Sequence, residues 1–249
     1  MPDDDSLIIA RPEGQAQQLF LLFHGVGAAP DDLAPLGHLL ASEFPQAFVV
    51  SVAAPERIPG GAGRQWFGIA GIDEDNRVER VAAAMPAFAA TVEAWRREAG
   101  VPAEAIALVG FSQGGIMALE STRGRPALAG RVVAIASRFA RLPEAPNPDT
   151  TLHLFHGKLD AVIPYGFTVE AAQHLVAIGA DVTADVVPFV GHQISDDMAA
   201  LLVERLRGHL PKRVWEAAMT AARELQAQDE AAPPDAGDAA AGHGPHGAA

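Results

Sequence analysis

The chain reads as short apolar runs separated by longer stretches in which apolar residues recur every three or four positions. Residues 19–23, 47–52, 106–109, 132–136, 152–155 and 182–187 have the length of strands, and most of these runs are continuous rather than alternating. Continuous apolar strands belong where helices cover both faces of a sheet. Residues 76–98 place Val78, Val81, Met85, Phe88, Val92 and Trp95 along one helical face, and Pro86 within that stretch is expected to kink or divide the helix. Ser195, followed by Asp196 and Asp197, supplies a hydroxyl cap and two acids for the positive end of a helix dipole. Met198, Leu201, Leu202 and Leu206 form the stripe of that helix. A last helix is expected from Pro211, burying Val214, Trp215, Ala218 and Leu225. Strands alternating with helices imply parallel strands joined by right-handed crossovers, hence an open, mostly parallel α/β sheet. With no internal repeat and no linker before Leu225, residues 1–225 are expected to form one domain.

Composition changes the picture at one end. Residues 226–249 are mostly Ala, Gly, Pro, Asp and His, with no large aliphatic or aromatic side chain. Such a segment cannot bury enough apolar area to offset the entropy of ordering it, so a disordered acidic tail is expected there. Its His243 and His246 would make a poor metal site, because two flexible histidines leave most of a coordination shell unfilled. No metal and no cofactor are expected. The formal charge of the 249 residues is −13, with Lys and Arg scattered. That field repels phosphate backbones and argues against a nucleic-acid partner. No apolar run approaches membrane-spanning length, and the acidic Met1-Pro2-Asp3-Asp4-Asp5 start is unlike an export signal. Cysteine is absent, which excludes disulfide and thiolate chemistry and fits a reducing compartment. A soluble, cytoplasmic protein without integral membrane association is the expectation.

The chemistry sits just past the strands. Gly110-Phe111-Ser112-Gln113-Gly114 joins the strand at 106–109 to a helical run. G-x-S-x-G in that position forms a nucleophile elbow, a tight turn that projects the serine hydroxyl away from the sheet. Serine is a weak nucleophile at neutral pH and needs a base within hydrogen-bond reach, itself oriented by a carboxylate. In this fold the order along the chain is Ser, then Asp or Glu, then His. Asp160 follows the strand at 152–155, and His192 follows the strand at 182–187. Loops after parallel strands converge on one face of the sheet, so Ser112, Asp160 and His192 are expected to meet there. The other histidines read differently. His153 lies within a strand and is expected to be packed. His38, His174 and His209 fall in helical patterns, and His24 and His156 precede glycines, where a structural hydrogen bond is expected. The oxyanion donors are expected to be the backbone N–H groups of Gln113 and of Val26, the latter in the glycine-flanked Phe23-His24-Gly25-Val26-Gly27 loop. Trp66 and Phe67 could wall a substrate pocket, although core packing accounts for such a pair equally well.

These segments resemble the bacterial carboxylesterases of the phospholipase/carboxylesterase family, relatives of acyl-protein thioesterases and dienelactone hydrolases. The matching stretches are Phe23–Gly27, Arg64–Phe67, Gly110–Gly115, Gly157–Pro164 and Gly191–Ile194, in the family's order and spanning about residues 19–210. The resemblance implies an α/β-hydrolase fold and a metal-free esterase acting on short to medium acyl esters through an acyl-enzyme. Where many relatives carry a small Ser-Gly pair, this chain has Ser137-Arg138-Phe139. Arg138 is therefore expected to touch substrate, either shortening the pocket or recruiting an acidic one. Only a short proline-marked loop (Pro143, Pro146, Pro148) lies between Ser137 and Thr150, so no large lid is expected, nor activation at an oil–water interface.

The partner implied is a small-molecule ester. A thioesterase or lysophospholipase would use the same machinery, and a non-catalytic hydrolase-fold binding protein is the alternative of another class. Neither the oligomeric state nor the physiological substrate can be read from the residues.

Overall fold

The computed structural model describes residues 5–231. They divide into two compact units, one ending at Pro211 and one beginning at Lys212. In the first, seven strands form one sheet: β1 (Leu7–Ala10), β2 (Gln18–Phe23), β3 (Ala47–Val52), β6 (Ile106–Phe111), β7 (Arg131–Ile135), β8 (Thr151–Gly157) and β9 (Asp181–Val187). Their order across the sheet is β1-β3-β2-β6-β7-β8-β9. Only β1 runs antiparallel to its neighbour. Two short strands, β4 (Glu56–Arg57) and β5 (Arg64–Gln65), pair as a separate ribbon. This is the α/β-hydrolase arrangement expected from the sequence. The strand β1 was not legible: four residues on a sheet edge bury too little for a pattern to emerge.

Alternation within β2 shows how the sheet is covered. Leu19, Leu21 and Phe23 face one apolar cluster, and Phe20 and Leu22 face the other. The first cluster is closed by α2 (Glu74–Ala99), α3 (Gln113–Ser121) and α4 (Gly166–Ala177). The second is closed by α1 (Ala34–Glu43) and α5 (Asp196–Gly208). The predicted stripe of α2 is the buried one, with Val81, Phe88, Val92 and Trp95 all within the core. The Ser195 side chain caps α5 by accepting the Met198 N–H at 3.2 Å.

Two details differ from expectation. Pro86 does not divide α2, which runs unbroken from an Asp73 cap to Gly100. Pro86 and Ala82 are both exposed, so the carbonyl deprived of its intrahelical donor can bond water instead. The last helix, α6 (Lys212–Ala231), belongs to the second unit. Val214, Trp215 and Leu225 on it are 47%, 57% and 62% exposed, and Ala218 is also exposed. Helical spacing reveals an apolar stripe but not what covers it. The helix continues past Leu225 into the expected tail; His243 and His246 lie outside the described residues.

The chain moves outward to β3 from β2 and then returns to β6 on the other side. The crevice beyond the C-terminal ends of β2 and β6 is the switch point at which open α/β sheets bind ligands. No helix among the described residues is long and apolar enough to cross a membrane.

Candidate active site

Ser112 follows β6 with φ 51° and ψ −116°, a left-handed backbone conformation that strains an L-residue and aims its side chain off the sheet. Two glycines make the turn fit. A Cβ on Gly110 would lie 2.5 Å from the Gly114 backbone, and one on Gly114 would lie 2.1 Å from the Phe23 carbonyl oxygen. The Ser112 N–H donates to the Ile135 carbonyl at 2.9 Å, and the Ser112 carbonyl accepts from the Ser137 hydroxyl at 2.9 Å. The elbow is thereby fastened to the end of β7.

The structure brings Ser112, His192 and Asp160 into one hydrogen-bonded chain. Ser112 Oγ lies 3.0 Å from His192 Nε2, and His192 Nδ1 lies 2.7 Å from Asp160 Oδ2. This pattern assigns the imidazole proton to Nδ1 and leaves Nε2 to accept from the serine. The other Asp160 oxygen accepts the N–H groups of Val162 at 2.8 Å and Ile163 at 2.9 Å. Burial opposes the charge on Asp160, but the His192 hydrogen bond and those two N–H groups outweigh it and hold its pKa below the usual carboxylate range. A second histidine, His156, has Nε2 3.2 Å from Asp160 Oδ2, the oxygen that His192 also meets, and 2.7 Å from the Ile163 carbonyl, while Nδ1 meets the Thr168 hydroxyl at 2.7 Å. Burial keeps His156 neutral by pushing its pKa down. Its expected structural role therefore extends to Asp160. Its position four residues before Asp160 was the available signal.

The loop after β2 carries the expected oxyanion donor Val26. Gly27 N–H donates to the Arg64 carbonyl at 2.8 Å, and Arg64 N–H donates to the Ala28 carbonyl at 3.0 Å. Among the described residues Val26 N–H has no backbone acceptor. Gln113 N–H, at the first position of α3, has no acceptor within its helix. Both groups can take a ligand oxygen. The side chain of Gln113 does something the sequence reading did not anticipate: it accepts the Trp66 N–H at 2.8 Å and donates to the Phe67 carbonyl at 2.7 Å. It ties the segment around β5 to the elbow. Trp66 itself faces the core, packed on Phe23 and Phe88, with its indole N–H on the His24 carbonyl at 2.8 Å. It does not line the cavity at Ser112, whereas Phe67 and Arg138 do. The chain bends at both residues just past β5, and the turn sends one ring to the core and brings the other to the pocket.

His24 is fully buried and donates from Nδ1 to the Gly25 carbonyl at 2.8 Å, while Nε2 accepts the Ala54 N–H at 3.2 Å. His153 is bonded to Thr183 and Arg131 inside the sheet. His174 meets the Pro143 carbonyl, and His209 meets Asp181. None of these four enters the Ser112 chain, as their sequence positions implied.

Two cavities flank the proposed nucleophile. One, of about 390 Å³, is walled by Ser112, Gln113, Val26, Phe67 and Ile116, with Glu74, Arg77 and Arg138 also in its lining. The other, of about 640 Å³, is walled by His192, Phe111, Gly25, Leu36 and Ile194. No group of His, Asp or Glu among the described residues has the arrangement of a metal site.

The sequence profile of the phospholipase/carboxylesterase family matches residues 4–210. Esterase YpfH of Escherichia coli is 45% identical over 216 residues, covering 87% of this chain and 93% of that protein. Acyl-protein thioesterase 1 of Neurospora crassa is 29% identical over 123 residues, covering 46% of this chain and 50% of that protein. Among solved structures, esterase PE8 superposes with a TM-score of 0.72 at 26% identity, over 82% of this chain and 97% of that one. The Bacillus cereus carboxylesterase shares the fold, with a TM-score of 0.68 at 19% identity, over 80% of this chain and 91% of that one. The chain belongs to the phospholipase/carboxylesterase family of ester hydrolases, built on the α/β-hydrolase fold.

Proposed function

We propose that the protein hydrolyses short- to medium-chain carboxylic esters through an acyl-enzyme formed on Ser112. The observation that carries this reading is the continuous hydrogen-bonded chain from Ser112 Oγ through His192 to Asp160. His192 takes the serine proton as the hydroxyl attacks the carbonyl, and Asp160 holds the imidazole in the required tautomer. The N–H groups of Val26 and Gln113 receive the oxyanion. The leaving alcohol collects its proton from His192, so it occupies the cavity that His192 lines, and the acyl chain lies in the cavity at Ser112. Water activated by His192 then releases the acid. Residues 137–150 carry no helix, which supports an uncovered site acting on dissolved esters. A jump in rate when substrate passes from dissolved to emulsified form would count against that point.

The direct test is hydrolysis of p-nitrophenyl acetate, butyrate, octanoate and laurate by the wild type and by Ser112→Ala. The variant should lose about 10⁴-fold or more in kcat/KM, and wild-type rates should fall towards laurate. Full activity in Ser112→Ala would overturn the assignment of the nucleophile. The match to an acyl-protein thioesterase makes acyl thioesters the second substrate class to run alongside.

A further inference from the structure

The cavity assigned to the acyl chain is not lined by hydrocarbon alone. We propose that the charged part of its lining, formed by Arg77, Glu74 and Arg138, is a recognition site for an anionic acyl terminus, so that the preferred substrates are monoesters of short dicarboxylic acids. This rests on the esterase reading above and names its substrate class.

The cluster is built asymmetrically. Arg138 is fixed on every side: Nη1 and Nη2 donate to the two Glu74 oxygens at 2.9 and 2.8 Å, Nε donates to the Phe139 carbonyl at 3.3 Å, and the guanidinium stacks 3.8 Å from the Phe167 ring. Arg77 is held by a single hydrogen bond, Nη2 to Glu74 at 3.1 Å, and its Nε is buried without a partner. The two arginine side chains are only 14% and 18% exposed, whereas Glu74 is 66% exposed. Two guanidiniums against one carboxylate leave a surplus positive charge in the lining of an otherwise largely apolar cavity. That surplus stands out in a protein of net charge −13. A buried donor left unpaired is a defect in a structural ion-pair network, and the side chain that carries it stays 18% exposed, with capacity for a ligand oxygen. Guanidiniums match carboxylates in shape and charge. The distance to the nucleophile is also fixed, because Ser137, next to Arg138, hydrogen-bonds the Ser112 carbonyl.

In the reaction, attack by Ser112 breaks the ester C–O bond, and the alcohol leaves with the proton from His192. Water then cleaves the acyl-enzyme to give the dicarboxylate, with the second carboxylate untouched throughout.

The test compares monoethyl succinate, glutarate and adipate with neutral ethyl esters in which an isopropyl group replaces the free carboxylate, following acid release by titration. At least one monoester should exceed its neutral counterpart in kcat/KM by about tenfold, the range of one charge-assisted hydrogen bond. Arg77→Gln should bring that ratio towards unity. Glu74→Gln, which removes the competing carboxylate, should raise it. The opposite signs keep the test decisive even if an Arg138→Gln variant fails to fold. A wild-type ratio at or below one, or a ratio unmoved by Arg77→Gln and Glu74→Gln, overturns the proposal and leaves the cluster as a wall that limits chain length. Hydrolysis of no ester of either kind would instead overturn the esterase reading, and this one with it.

Discussion

The two walls of the cavity at Ser112 are built on opposite principles. On one side, the loop after β2, the segment around β5 and Gln113 are laced together: Gly27, Arg64, the Trp66 backbone and indole N–H groups, and the Phe67 carbonyl all have partners. A Cβ on Gly63 would sit 2.0 Å from the Gly27 oxygen, so even the spacing of the two segments is set by backbone contact. On the other side, Arg77 makes one bond and leaves a buried N–H unpaired. In the proposed mechanism the saturated wall holds the donors that must not move while charge develops, and preorganisation of that kind is where electrostatic catalysis gains most. The unsaturated wall keeps capacity for something that is not part of the protein. Satisfied polar groups mark what a site must hold still, and unsatisfied ones mark what it waits for.

Substitutions should separate the walls. Gly114→Ala forces a Cβ against the Phe23 and His24 carbonyls, and both are backbone, so nothing flexible can yield. A loss of about 3 kcal/mol or more is expected, together with most of kcat, measured by denaturant melts and ester turnover. Gln113→Ala leaves the Trp66 N–H and the Phe67 carbonyl unpaired inside the protein. It should lower stability by about 2 kcal/mol and reduce kcat more than it raises KM, because the oxyanion loop loses its brace.

Acid probes the buried histidines that stiffen the sheet and the saturated wall. Burial, then the neighbouring Arg131 charge, pushes the His153 pKa down from 6.5 to about 3. Between those values the unfolded chain binds a proton that the folded one refuses, so stability falls as pH drops through that window. The slope is up to about 1.4 kcal/mol per pH unit from this group. His24 and His156, also lowered chiefly by burial, act in the same direction. Urea midpoints at pH 7 and pH 5 should differ accordingly, and the difference should shrink in His153→Leu. The smallest effect belongs to the other wall. Glu74 is largely exposed, so Glu74→Gln should change stability by less than about 1 kcal/mol while shifting substrate preference. A melting change as large as that of Gln113→Ala would erase the distinction between the walls.

Much of this site is legible along the chain because its chemistry sits at strand ends. Ser112, Asp160 and His192 each follow an apolar run, and parallel strands deliver such loops to one edge whatever lies between them. The same logic proposes Val26 after β2. What escapes it depends on side-chain direction or on distant partners. Trp66 and Phe67 are adjacent, yet one supports the core and the other faces the cavity. Arg138 stood out as a bulky cation beside the elbow, but Glu74 and Arg77 belong to the start of a helix more than sixty residues earlier, and their meeting is set by packing. The stripe on α6 was visible as periodicity, while its exposure could not be.

The loop after β7 touches the elbow through Ser137 and contributes Arg138 to the cavity, but it supplies none of the three residues in the proton-relay chain. On the proposals made above, reaction and selectivity are carried by separate stretches of sequence. Lineages that share the relay can diverge in diet by rewriting a few positions after Ser137 and at the start of α2, and an engineer could retarget the enzyme the same way without disturbing its power stroke.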